Sequence, residues 1–259
     1  MHTEHENIPE GKKIYFGSDF HLGAPDKVKS LEREKKIVRW LDSIMHDAHA
    51  IYLVGDIFDF WFEYRTVVPR GFIRFQAKLI ECIDRGIKVV MFTGNHDMWM
   101  FGYFTAEFGI PVHRDPILLL ANGKRLLVGH GDGLGPGDKM YKVLKKIFRN
   151  KLCQWAFARL HPNFGIGIAS YWSRQSRLSS GKEEEYKGDD EWIYSWCRDM
   201  ETAEHHDYYI FGHRHLPLNL EVAENSRYIN LGEWVTQFTF ASFDGTTVSL
   251  EKFEDSHND

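Results

Sequence analysis

KVVMFTGNHD, residues 88–97, runs an apolar, β-branched segment into a glycine and then into Asn95, His96 and Asp97. The same order occurs twice upstream, in KIYFGSDFH (13–21) and AIYLVGD (50–56), with helical patterns between the runs over Ser30–Met45 and Phe72–Ile83. Strand, helix, strand, helix, strand is a βαβαβ reading, and it predicts parallel strands with helices packed on them. After Asp115 the pattern changes to ILLLANGKRLLVGHG (117–131), where Asn122-Gly123 between two apolar runs signals a hairpin and makes the sheet mixed. From Lys139 to Met200 only helical patterns are legible. Strands then return in YYIFG (208–212), LNLEVA (218–223), RYINLG (227–232), TQFTFASF (236–243) and TTVSLEKF (246–253), with Asp244-Gly245 as a further turn. The helical block therefore reads as an insertion between strands, with its acidic stretch, Lys182–Glu191, as a surface loop.

Five short motifs follow these β-runs at their carboxyl ends: Asp19-x-His21, Gly55-Asp56, Gly94-Asn95-His96-Asp97, Gly129-His130-Gly131-Asp132 and Gly212-His213-Arg214-His215. In open α/β sheets the carboxyl ends of strands converge on one crevice, so residues far apart in sequence become neighbours there. A glycine before the ligand, as in the last four motifs, lets the backbone turn without a Cβ clash. Two carboxylates, an amide oxygen and four imidazoles, with no thiolate, suit a pair of Mn²⁺, Zn²⁺ or Fe²⁺ ions and disfavour a structural zinc or iron–sulfur site. Two such ions about 3.5–4 Å apart share a carboxylate, generate a nucleophile at neutral pH and clamp both oxygens of an in-line phosphoryl displacement. A single histidine such as His113 or His161 is more often an ordinary surface or core residue; the metal reading rests on the conjunction of seven ligand-capable residues.

Composition narrows the function classes. A chain of 259 residues with 43% hydrophobic content supports a sizeable core, and no stretch reaches the roughly 20 apolar residues of a membrane span. The first residues have neither a signal-peptide apolar region nor transit-peptide character, so a cytoplasmic location is expected. Cys82, Cys153 and Cys197 are scattered, which argues against a disulfide framework. A net charge of −5 and the lack of a groove-entering motif exclude nucleic acid as the expected partner, and no Gly-rich phosphate loop supports triphosphate-driven chemistry.

The pattern D-x-H, GD, GNHD, H and GH-x-H, complete and in order from Asp19 to His215, resembles the calcineurin-like metallophosphoesterase superfamily. That resemblance implies an α/β (mixed α+β) fold of two packed mixed β-sheets flanked by helices, over one domain spanning 1–259 with a helical lid at about 138–200. It implies Asp19, His21 and His215 on one metal, Asn95, His130 and His213 on a second, and Asp56 bridging. His96 would sit beside the attacked phosphorus, with Asp97 orienting it. SDFHLG, GDIFDFW, HGDGLGPGDKMY, FGHRHLP and NLGEW are more closely similar to the UDP-2,3-diacylglucosamine hydrolase branch, which makes lipid A precursors. This branch implies two divalent ions, Mn²⁺ first, and attack of water at the α-phosphorus of a UDP-linked lipid, releasing UMP. The substrate contacts it implies are Asn95, His96, His213 and Asp138, with Arg174, Arg177, Ser180 and Lys182 gripping phosphate from the lid. His96 stands where many members of that branch carry arginine.

Lys139–Arg177 holds nine Lys or Arg residues and no Asp or Glu. Met140, Leu144, Ile147, Phe148, Leu152 and Trp155 fall at helical spacing on one face, with Lys142, Lys145, Lys146 and Arg149 mostly off it. A basic amphipathic helix of this kind suits an anionic amphiphile and peripheral residence on the cytoplasmic face of the inner membrane; the plainer reading packs the apolar face on the domain and leaves the lysines solvated. Glu233 and Trp234 are either supports behind the metal site or ordinary strand-end residues. Two competing functions remain from the residues alone: a phosphodiesterase or phosphatase for another substrate, and a catalytically silent scaffold, which the complete ligand set opposes.

Overall fold

The computed structural model describes residues 1–135, 139–180 and 186–255, and within them two six-stranded sheets lie face to face. One sheet is built from β2 (Lys13–Gly17), β3 (Ala48–Val54), β4 (Lys88–Phe92) and β5 (Val112–His113), all parallel, extended beyond β2 by the antiparallel β11 (Thr239–Phe243) and β12 (Val248–Lys252). The other has the order β1 (His2–Glu6), β6 (Ile117–Ala121), β7 (Lys124–Gly129), β8 (Tyr208–Phe211), β10 (Ser226–Leu231), β9 (Pro217–Ala223), with parallel and antiparallel neighbours mixed. The hairpin expected at Asn122-Gly123 joins β6 to β7, both turn residues having positive φ (47° and 80°) as a type I′ turn requires.

Alternation along the strands sorts side chains into three layers. Phe16, Tyr52, Val90 and Phe92 meet Leu119, Leu126, Val128, Ile210 and Ile229 between the sheets. The opposite face of the first sheet, through Tyr15, Ile51, Leu53 and Met91, packs on α1 (Lys27–Ile44) and α2 (Ile73–Asp84) around Trp40, Leu41, Phe75 and Leu79. Across the molecule, Tyr209, Phe211 and Tyr228 are covered by Ile193 and Cys197 of α7 (Trp192–Ala203). Helix α1 starts on the Asp26 carboxylate, which accepts from Val28 N (2.9 Å) and Lys29 N (3.0 Å). Helix α2 has no local cap; Glu34 of α1 reaches across to accept from Arg74 N (2.8 Å) and Phe75 N (3.1 Å) instead.

Several short elements, β5 among them, go beyond the sequence reading. The short helix α3 (Tyr103–Phe108) follows the GNHD loop, and β1 pairs in parallel with β6 although its sequence, HTEHE, has no apolar alternation. Its inward side chains, Glu4 and Glu6, meet His113, Lys88 and His49 of the other sheet, so this open edge of the sandwich is closed by a polar seam.

Between β7 and β8 run α4 (Lys139–Arg149), α5 (Lys151–Phe157), α6 (Pro162–Ser180), a 3-10 turn at Gly188–Asp190, and α7. The apolar spacing from Met140 to Trp155 does not form one helix: Asn150 ends α4 and caps α5, its side chain accepting from Leu152 N (2.9 Å) and Cys153 N (3.3 Å). Its basic face is also turned the other way from expectation. Lys142 bonds the Gly135 carbonyl, Lys145 Nζ lies 2.6 Å from the Asp132 carboxylate, and Arg149 reaches Asp115 (2.9 Å), so these cations anchor α4 to the body. Val143, Ile147, Leu152, Trp155, Phe164 and Tyr171 face solvent. The buried Asp132 is a stronger partner for the Lys145 ammonium than water is, and together with Phe148 packed on Trp99 it decides which face docks.

A candidate dinuclear metal centre at the strand ends

Loops from both sheets meet at one end of the sandwich. Asp19 and His21 follow β2, Asp56 follows β3, Asn95 follows β4, His130 follows β7, and His213 and His215 follow β8. Asp19, His21 and His215 form one group, with His215 Nε2 3.1 Å from Asp19 Oδ1 and 3.1 Å from His21 Nε2. Asp56, His130 and His213 form another, joined by Asn95, whose Oδ1 is 3.3 Å from His130 Nε2 and 3.0 Å from His213 Nδ1. Asp56 lies between them: its Oδ2 is 3.4 Å from His130 Nε2 and 3.9 Å from His21 Nε2.

The backbone is shaped for this convergence. Five of the seven, Asp19, His21, Asp56, His213 and His215, have positive φ between 45° and 69°, a left-handed conformation that costs a residue with a Cβ about 1–2 kcal/mol. Gly94 and Gly212 are needed for close approach rather than for φ: a Cβ on Gly94 would overlap Asp56 Oδ1, and one on Gly212 would overlap Asp19 Oδ2. Backbone bonds lock the loops to one another, through Asp19 N to Gly55 O (3.0 Å), His21 N to Asp56 O (2.9 Å) and Gly212 N to His130 O (3.0 Å). His130 is held through Nδ1 against the Val54 carbonyl at 2.9 Å, which leaves Nε2 facing inward as a ligand nitrogen.

The electrostatics ask for cations. Burial opposes ionisation of Asp19, yet His215 and His130 hold its carboxyl down at about 2. Burial likewise works against His130, but Asp56 and Asp19 raise its ring to about 10, while burial lowers His213 to about 4 and drives His21 well below its ordinary value. Asp19 Oδ1 and His21 Nδ1 are buried without a hydrogen bond of acceptable geometry. Two imidazole nitrogens 3.1 Å apart beside such an oxygen, with no thiolate nearby, fit divalent ions of the Mn²⁺, Zn²⁺ and Fe²⁺ kind.

His96 sits at the rim, its ring centroid 4.9 Å from that of His21 and its backbone N–H donating to Asp56 Oδ1 at 2.8 Å. Asp97 does not orient that ring. Its buried carboxylate accepts three backbone N–H groups, from Gly94 (2.7 Å), Ile57 (2.8 Å) and Phe58 (3.2 Å), and so fixes the loops carrying Asp56 and Asn95. The partners of His96 Nδ1 are Ser173 Oγ of α6 at 2.9 Å and the Asp59 carbonyl at 3.2 Å. Asp59, whose Oδ1 is 3.8 Å from His21 Nδ1, was not singled out by sequence reasoning; its GD-x-x-D spacing from Asp56 was the available signal.

Other supports become visible only in three dimensions. Asp132 binds Tyr141 OH at 2.5 Å as well as Lys145, tying α4 to the loop of His130. Arg214, between His213 and His215, turns away from the site into a buried bidentate pair with Glu191 (2.6 and 3.1 Å) and lies over the Trp192 ring. Trp234 N donates to Asp19 O at 3.1 Å, and Glu233 caps the turn behind it, accepting from Thr236 N and Gln237 N. Arg174, Arg177 and Ser180 lie on α6, with side chains outside the described set, and Asp138 and Lys182 lie outside the described residues.

The family model of the calcineurin-like phosphoesterases matches residues 12–217. A UDP-2,3-diacylglucosamine hydrolase of Porphyromonas gingivalis is 39% identical over 258 residues, covering 94% of this chain and 98% of that protein. One of the same description from Shewanella baltica is 26% identical over 246 residues, covering 95% and 99%. These matches, running over nearly the whole chain, make it a member of the calcineurin-like phosphoesterase family and a hydrolase.

Proposed function

We propose that the protein hydrolyses UDP-2,3-diacylglucosamine at the α-phosphorus, giving UMP and 2,3-diacylglucosamine 1-phosphate, with a pair of Mn²⁺ ions held by Asp19, His21, His215, Asn95, His130 and His213 around a shared Asp56. The observation that carries the reaction type is Asp56 lying between two buried ligand groups. A divalent pair held there supplies Lewis acidity and a nucleophile at neutral pH. His96 faces the same opening, and its ring, set by Ser173 and Asp59, stabilises charge on a phosphoryl oxygen or hands a proton to the leaving oxygen. Asn95 and His213, 3.0 Å apart, are the further polar groups read as substrate contacts.

Substrate class follows from the insertion. We read 1–259 as one metallophosphoesterase domain whose helices from about 138 to 200 form a lid, since α6 both reaches His96 through Ser173 and, with α1 and the 69–74 segment, lines an open groove of about 940 Å³. Leu22, Phe60, Phe72, Ile166 and Tyr171 give that groove an apolar wall beside Asp59, suited to acyl chains. No helix among the described residues is long and apolar enough to cross a membrane. Exposed Leu152 and Trp155 beside the exposed cations Lys146, Lys151 and Arg159 suit peripheral docking on an anionic cytoplasmic leaflet, where a lipid substrate resides.

The test is hydrolysis of UDP-2,3-diacylglucosamine with Mn²⁺, following UMP by mass, with bis-p-nitrophenyl phosphate in parallel. UMP release at a rate exceeding diester cleavage is expected. Diester cleavage without UMP release would reassign the substrate, and loss of both would remove the hydrolytic reading.

A further inference from the structure

A separate cluster of ligand-type side chains lies on the polar seam at the far edge of the sandwich. His113, on edge strand β5, places Nε2 2.9 Å from Glu4 Oε1, and His2 Nε2 is 3.7 Å from the same oxygen. His2 and Glu4 share one face of β1, two residues apart on the edge strand of the opposite sheet, and the His2 and His113 ring centroids are 5.1 Å apart. We propose that His2, Glu4 and His113 form a third metal site, independent of the dinuclear centre, which takes one borderline divalent cation of the Zn²⁺ type and clips the edge of one sheet to the edge of the other.

The geometry is close to what such an ion requires. Ligands at about 2.0–2.1 Å in a tetrahedron stand roughly 3.3 Å apart, and the two separations to Glu4 Oε1 bracket that value. The carboxylate is already aimed: its other oxygen, Oε2, is occupied by Lys88 Nζ at 2.8 Å and Tyr52 OH at 3.1 Å, which turns Oε1 toward the two imidazoles. Lys88 is a nearby positive charge that opposes a cation. It is shared with Glu6 (2.6 Å), so two carboxylates face one ammonium and the balance at the seam stays negative. His2 is 60% exposed, giving an open path and room for water as the remaining ligand. Two imidazoles and one carboxylate with an open position are a zinc-type donor set rather than a calcium or magnesium one.

The untagged protein is equilibrated by dialysis against micromolar Zn²⁺, and bound zinc per chain is measured by mass spectrometry for the wild type, His2→Ala and His113→Ala. Each variant should bind one equivalent fewer than the wild type, and zinc should raise the melting temperature of the wild type more than that of His2→Ala. His2→Ala changes an exposed side chain outside the catalytic machinery, so its diester hydrolysis should be unaltered and it decides the matter if His113→Ala folds poorly. Equal zinc content in the wild type and His2→Ala would overturn the proposal.

Discussion

Replacing Leu152 and Trp155 together by serine separates membrane docking from chemistry. Leu152 is 71% exposed and Trp155 56%, so neither contributes much to the folded core, and both are available to bury elsewhere. Full burial of a large apolar side chain is worth about 1.5–3 kcal/mol, so these exposed fractions amount to about 2–4 kcal/mol between them. At about 1.4 kcal/mol per tenfold, partitioning onto vesicles rich in phosphatidylglycerol should fall by roughly 30- to 1,000-fold. The assay is co-sedimentation with vesicles, run beside hydrolysis of bis-p-nitrophenyl phosphate, which needs no lipid surface and should proceed at the wild-type rate. Unchanged sedimentation would refute the docking argument, and an equal loss of diester cleavage would show that these residues support the active centre instead. The lysines are poor probes of the same question, because Lys142 and Lys145 bind Gly135 and Asp132 within the protein.

Asp56→Ala should remove both activity and the second bound Mn²⁺, read by metal analysis, because one carboxylate serves both groups. His96→Ala should keep its metals and lose roughly 10²- to 10⁴-fold in turnover; undiminished turnover would exclude the residue from the reaction. Arg214→Met alone leaves Glu191 buried and unpaired and should cost about 3–5 kcal/mol in denaturant titration, whereas Arg214→Met with Glu191→Leu should recover much of it. Glu4, held down to about 2 by the His113 hydrogen bond and Lys88, contributes stability that is complete above the unfolded carboxyl range near 4.5 and lost as pH falls from there toward 2. Glu4→Gln should therefore flatten acid unfolding over that window, by an amount that solvent screening through the more exposed Lys88 reduces.

The sheet core was legible because KIYFG, AIYLV and KVVMF are buried on both faces and so read as continuous apolar runs. The seven ligand positions were legible for a related reason, each being a polar residue set where such a run ends. Strand β1 escaped because its inner face is charged, and a strand that buries Glu4 and Glu6 against Lys88 has no hydrophobic period to detect. The insertion misled differently. Its apolar spacing ran across the break at Asn150, and spacing alone does not say which face docks, which Asp132 and Trp99 on the body decide. Asp97 shows the same limit: its position beside His96 in sequence suggested a partnership, while its side chain points the other way into three backbone N–H groups.

The placement of β11 has a consequence for how the chain is made. Phe16 and Tyr15 of β2 pair with Ala241 and Ser242, so the strand carrying the first ligand motif gains its outer neighbour only once synthesis has passed Phe243. Trp234 N, which steadies the carbonyl of Asp19, arrives equally late. At about 5–20 residues per second, β2 waits many seconds on the ribosome as an apolar, unpaired edge. The nascent chain is therefore a natural client for chaperones until β11 zips onto β2.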